Sequence, residues 1–97
     1  MIKVFRSNDE IKLTGHSDYD TLGKDIVCSA VSSIMITTVN AILKFDERAI
    51  SYRRYSDESQ IKINKKDKIT LLLIDNMMEM LLELSKKYPE NIIVKER

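Results

Sequence analysis

No charged side chain occurs between Asp25 and Lys44, and this stretch constrains the fold more than any other part of the chain. Ile26, Val27, Ala30, Val31, Ile34, Met35, Val39, Ile42 and Leu43 return at three- and four-residue intervals. That is the period of an α-helix with one face against a core, here running to about Lys44. Between them stand Ser29, Ser32, Ser33, Thr37, Thr38 and Asn40 rather than the Lys and Glu of a solvent-facing helix. The helix is therefore expected to be covered on more than one side, by a sheet and by something else, a partner subunit being one candidate. The same polar residues break the run, so no span of the roughly 20 apolar residues that a bilayer needs is expected, and no membrane partner. Asp25, a short acceptor just before the run, predicts the N-cap.

Strand signals lie on both sides of this helix. Ile2–Arg6 alternates Ile2, Val4 and Arg6 against Lys3 and Phe5, and Ser7, Asn8, Asp9 and Glu10 predict a reversal. Ile11 and Leu13, alternating with Lys12 and Thr14, predict a second, antiparallel strand that Gly15 ends. From His16 to Lys24 no apolar period exists, which predicts an exposed loop; loops this long between elements more often carry function. Ala49–Tyr55 and Ser59–Asn64 predict a hairpin turning on Ser56, Asp57 and Glu58, with Ile50, Tyr52, Ile61 and Ile63 inward. After a charged link, Lys65–Lys68, a second helix is expected over Ile69–Tyr88, with Leu72, Leu73, Met77, Met80, Leu81 and Leu84 along one side and Pro89 stopping it. Ile92, Ile93 and Val94 predict a short last strand, and Lys95, Glu96 and Arg97 an end in solvent. The order β-β-α-β-β-α-β predicts an α+β fold, a mixed sheet carrying two helices, in one small domain over residues 1–97.

Charge and cysteine count narrow the chemistry. A net charge of +1 argues against strong attraction to nucleic acid, which needs concentrated positive charge, so no direct nucleic-acid partner is expected. Arg53, Arg54, Lys65, Lys66 and Lys68 sit among Asp57, Glu58 and Asp67 and predict a solvated face. Met77, Met78 and Met80 predict core filling, or else a dimer or peptide surface. One cysteine forms no internal disulfide, and the N-terminus MIKVFRSNDE has no apolar leader pattern; a cytoplasmic location is expected. One histidine and one cysteine fall short of a metal set, and no Gly-rich phosphate loop occurs, so no metal or cofactor is expected.

That leaves Cys28 and His16. With Asp25 as cap, Cys28 is among the first three helical residues, facing unpaired backbone N–H groups and the positive end of the helix dipole. Both favour thiolate, and the same N–H groups suit the oxyanion of a tetrahedral intermediate. His16, twelve positions upstream, can supply an imidazole to activate the sulfur and protonate a leaving amine. Asp18, Asp20 and Asp25 are candidates to orient that ring, though Asp25 has a competing duty as a cap and is not named as a third catalytic member. The opposite reading stays open at this point: a lone cysteine in an apolar helix is often a small core hydrophobe, and a lone histidine in a polar loop is often just solvated.

The joined pattern Gly15-His16-Ser17, then Gly23-Lys24-Asp25-Ile26-Val27-Cys28-Ser29-Ala30-Val31-Ser32, resembles the signature of the bacterial ribosomal-processing cysteine proteases, the Prp family. Ser29 stands where many members carry Ala. The resemblance implies a protease that removes a short N-terminal extension from the precursor of the twenty-seventh large-subunit ribosomal protein, cutting next to aromatic residues. It implies Cys28 as nucleophile and His16 as base, with Asp25 and Ser32 in supporting positions. It also implies a homodimer and a mobile loop, here Ser17–Lys24 between Gly15 and Gly23. Tyr19, within that stretch, is a candidate to touch a substrate aromatic or else simply to shield the helix start. Two other functions compete: a ribosome-associated module that holds the precursor without cutting, and a redox-sensing thiol.

Overall fold

Five strands form: β1 (Ile2–Arg6), β2 (Glu10–Thr14), β3 (Ile50–Arg54), β4 (Glu58–Ile63) and β5 (Ile92–Glu96), the first two alternating in polarity and the last beginning with three apolar residues in a row. Two helices, α1 (Leu22–Phe45) and α2 (Lys68–Lys87), complete the expected order. The computed structural model describes residues 1–15 and 22–96, and of residues 22–25 the backbone alone. The strands make one sheet in the order β3-β4-β2-β1-β5, antiparallel throughout except for the parallel pair β1–β5. β2 and β3 run parallel with β4 between them, and β4 and β5 run parallel with β2 and β1 between them. Each helix is thus the crossover of a split β-α-β unit, as parallel strands require.

Because strand side chains alternate between faces, one face of the sheet collects Ile2, Val4, Ile11, Leu13, Ile50, Ile61, Ile63 and Ile92, all buried. Against it α1 sets Val27, Val31, Met35, Val39 and Ile42, and α2 sets Ile74, Met77, Met78 and Leu81. Each such aliphatic side chain contributes about 1.5–3 kcal/mol by leaving water. The inward stripe of α2 differs from the expected one: Ile74 and Met78 face the core, whereas Leu72 and Met80 are exposed. The methionines therefore divide, Met77 and Met78 filling the core and Met80 facing out.

Several boundaries also move. Lys68 already belongs to α2, because Asp67 in the charged link caps it, accepting from the Thr70 N–H at 2.8 Å and from the Thr70 hydroxyl at 3.0 Å. β5 runs on to Glu96 because β1 offers pairing partners out to Arg6. The expected basic run is not one surface. Lys65 pairs with Asp46 at 2.7 Å and Lys66 with Asp9 at 2.9 Å, while Arg53 and Arg54, adjacent on β3, point to opposite faces.

The Thr70 N–H holds the Asp67 carboxyl below its ordinary 3.8, and the Lys65 ammonium, followed by the Arg48 N–H, does the same for Asp46. A carboxyl lowered by folding stabilises the native state above the unfolded value and ceases to do so as pH falls through the native one. Asp67→Ala should therefore melt several degrees lower than the parent at pH 7, and the gap should narrow below about pH 4. Thermal melts followed by circular dichroism across that range check it.

One expectation fails on composition. Ile26–Phe45 is long and apolar enough to cross a bilayer, with a mean hydropathy of 2.0, because its Ser and Thr residues lower the average too little. Its Val27–Ile42 stripe packs on the sheet as a core helix does, yet only 28% of that stretch is buried. Ile26, Ile36 and Phe45 stay exposed on the side away from the sheet.

Candidate functional site

The first helical turn begins four residues earlier than the cap at Asp25 implies, at Leu22 rather than Ile26. Leu22, Gly23, Lys24 and Asp25 are helical, so theirs are the N–H groups without intrahelical partners. Cys28 lies in the second turn, where the backbone N–H is already spent on the helical ladder. The oxyanion and dipole arguments built on a helix start at Asp25 do not apply to it. What remains of the sequence argument for activating this sulfur is a side chain brought from elsewhere.

The position of Cys28 still suits chemistry. It is a free thiol, half-buried, packed on one side against the core. On the other side it lines a cleft of about 100 Å³ between α1 and the β3–β4 hairpin. Ser32, one turn on along the same helix face, lines the cleft too, as i and i+4 residues must. Ile2, Leu13, Val31 and Met35 form an apolar floor, and Arg54 to Ser59 of the hairpin form a polar wall. The lone cysteine is thus at the boundary between core and opening, not sealed inside.

Gly15 borders the same cleft. Its φ is +95°, its N–H donates to the Asp57 carbonyl at 3.1 Å, and a Cβ built on it would lie 2.1 Å from the Met1 carbonyl oxygen. Only glycine fits where β2 ends against the hairpin turn and the N-terminus. His16, which follows, and the rest of the expected loop to Thr21 lie outside the described residues, as do the side chain of Asp25 and the placement of Tyr19. Gly23 and Lys24, expected as the far edge of that loop, are in α1 instead. Among the described residues no three His, Cys, Asp or Glu side chains gather to hold a metal.

The hairpin wall is the part that sequence reasoning missed. Arg54, Tyr55 and Glu58 read as the end of a strand and a turn. They border the same cleft as the cysteine because β4 pairs with β2, setting Glu58 opposite Thr14. The available signal was an aromatic, Tyr55, set directly before the turn formers Ser56 and Asp57; in the fold it is half-exposed and its N–H donates to the Glu58 carbonyl at 2.7 Å.

Comparison with known proteins bears on this cleft. The ribosomal processing cysteine protease Prp of Staphylococcus aureus strain Mu50 is 31% identical over 93 residues, covering 88% of each chain. The fold superposes on a crystal structure of the S. aureus Prp protease with a substrate peptide, TM-score 0.90, at 22% identity and full coverage of both chains. It also superposes on one with a covalently linked product peptide, TM-score 0.87, at 23% identity and again full coverage. Residues 1–93 match the family described as cysteine protease Prp. A cysteine at the mouth of a cleft, on a five-stranded sheet shared over the whole chain, thus has its relatives among peptide-cleaving thiols: the chain is a cysteine protease and belongs to the Prp family.

Proposed function

We propose that this protease removes the N-terminal extension of a ribosomal-protein precursor, that of the twenty-seventh large-subunit protein, with Cys28 as nucleophile and His16 as general base and acid. The observation that carries the reading is the half-buried Cys28 thiol lining a cleft that Gly15, the residue before His16, also borders. The Cys28 sulfur attacks the scissile carbonyl as thiolate. The imidazolium of His16 then gives its proton to the departing amine, and a water deprotonated by the same ring hydrolyses the thioester. Ile2, Leu13, Val31 and Met35 offer apolar contact to an aromatic side chain beside the cut bond. The names of the S. aureus relatives support the substrate class, and the covalent peptide in one of them supports a covalent intermediate. The cytoplasm, where thiols stay reduced, is the compartment we assign. Incubation with a synthetic peptide spanning the extension should give one cut by mass spectrometry. Replacing the aromatic residue at the cut by aspartate should suppress it; equal cleavage of both peptides refutes the apolar subsite, and no cleavage of either refutes the substrate.

A homodimer completes this reading. Its support is the open side of α1, where Ile26, Ser33, Ile36, Thr37 and Asn40 present an exposed surface with no charge. A second copy on that side would bury what the sheet leaves uncovered. Ile36→Glu should convert a two-chain particle into a monomer in sedimentation velocity; a monomeric parent or an unaffected variant refutes this interface.

A further inference from the structure

The sheet has a second face, turned away from both helices and from Cys28. The pairing registers place one residue from every strand in a single row across it: Arg53, Gln60, Lys12, Phe5 and Lys95. Its three cations stand two strands apart, about 10 Å at the usual strand spacing. Phe5 lies between Lys12 and Lys95 and is 39% exposed. Lys62 and Lys3 flank the row on neighbouring registers.

The charge of this face is unlike that of the whole chain. It carries these five cations against two carboxylates, Glu10 and, at the rim it shares with the cleft wall, Glu58, whereas the complete chain balances 16 against 15. Glu10 is itself engaged within the face, by Gln60 and by Lys12 at 3.6 Å. Among the described residues no carboxylate pairs with Lys3, Arg53, Lys62 or Lys95. The net charge of +1 is an average over a basic face and a mildly acidic remainder, so it says little about either. Two local hollows open on the face. A hollow of about 380 Å³ lies over Phe5, Lys12 and Lys95, and one of about 310 Å³ lies over Arg53 and Lys62.

We propose that this outer face is a docking surface for single-stranded nucleic acid. Phosphates meet the row of cations, and an unstacked base rests on the Phe5 ring. Spaced cations with an accessible aromatic between them on an open sheet are the two elements such binding needs. A duplex would satisfy the cations alone, since its stacked bases cannot reach Phe5. The surface lies on the far side of the sheet from the protease cleft, so a bound strand leaves the cleft open.

The test is fluorescence anisotropy of a labelled oligouridylate of about 12 nucleotides, a length within the usual range of single-strand sites. With about three phosphates neutralised, the affinity should fall about 20-fold between about 50 and 200 mM salt. Lys12→Gln and Lys95→Gln should each weaken binding and flatten that salt dependence, while cleavage of the precursor peptide stays unchanged. Phe5→Leu should weaken binding about tenfold at every salt concentration, since stacking is insensitive to ions. Lys86→Gln with Lys87→Gln, on the last turn of α2, should change nothing. Amide shifts of the unaltered protein on adding the oligonucleotide should fall on β1, β2 and β5, a readout that depends on no variant. No binding at about 50 mM salt, equal loss in the α2 control, or shifts confined to the helices would each overturn the proposal. So would equal binding of polyglutamate that is indifferent to Phe5→Leu, which would mark the face as a site for acidic polypeptides.

Discussion

Cys28→Ala should leave no measurable cleavage of the extension peptide while the protein melts close to the parent temperature. The sulfur lies at the edge of the core and lines an opening, so under the proposed mechanism its removal costs little packing and all of the nucleophile. Loss of a nucleophile lowers turnover by a factor on the order of 10⁶, which is below detection for most proteases. Cys28→Ser keeps the shape and should be nearly as inactive, because a hydroxyl without a strong base is a far weaker nucleophile than a thiolate. His16→Ala should cost about 10²–10⁴-fold, the range of acid–base assistance, and leave a measurable residual rate. The competing functions predict other patterns. A holding module would bind the peptide tightly and yield no product from any variant, the parent included. A redox thiol would depend on Cys28 and be indifferent to His16. Mass spectrometry of the products, with a parallel binding measurement, separates the three; product from Cys28→Ala would end the thiol mechanism.

What could be read from the residues was whatever is local. Alternation at Ile2–Val4, Ile11–Leu13 and Ile61–Ile63 and the helical return of Val27, Val31 and Met35 carry the element order, since each depends on neighbours within a few positions. The strand order β3-β4-β2-β1-β5 was not legible, because nothing in β2 states that it will sit between β1 and β4. The same long-range pairing hid the hairpin wall of the cleft. One cap was misplaced and another missed. Asp25 and Asp67 are both short acceptors near an apolar run, and Asp67 is the one that stands outside its helix, bonded to the Thr70 N–H and hydroxyl. At Asp25 the helix simply continues backward to Leu22, so the acceptor is inside it. Cys28 was singled out as a nucleophile on a premise about the helix start that the fold does not meet; what the fold shows is that this thiol lines a cleft. The joined Gly-His and Asp-x-x-Cys pattern, a family property, survived that error because it does not depend on where the first turn begins.

The two glycines of that pattern should respond in opposite ways, and the contrast tests what the segment between them is for. A symmetric hinge predicts that a bulkier residue at either Gly15 or Gly23 slows turnover. The structure breaks the symmetry. Gly15 has a positive φ of 95° and a Cβ position 2.1 Å from a backbone oxygen that no side-chain rotation can relieve. Gly15→Val must therefore shift the end of β2, the N-terminus or the Asp57 turn, and a residue held in such a region costs about 1–3 kcal/mol. The displaced backbone borders the cleft and leads directly to His16, and a misplacement of about 1 Å at a reacting group is enough for about 10²-fold in rate. Gly15→Val should thus lose more turnover than its fall in melting temperature explains, with Gly15→Ala intermediate. Gly23 lies in the first turn of α1, where alanine is favoured over glycine by roughly 0.5–1 kcal/mol. Gly23→Ala should melt slightly higher and cleave at nearly the parent rate. Equal losses at both positions would restore the two-ended lid; a fully active Gly15→Val would detach this corner of the cleft from catalysis altogether.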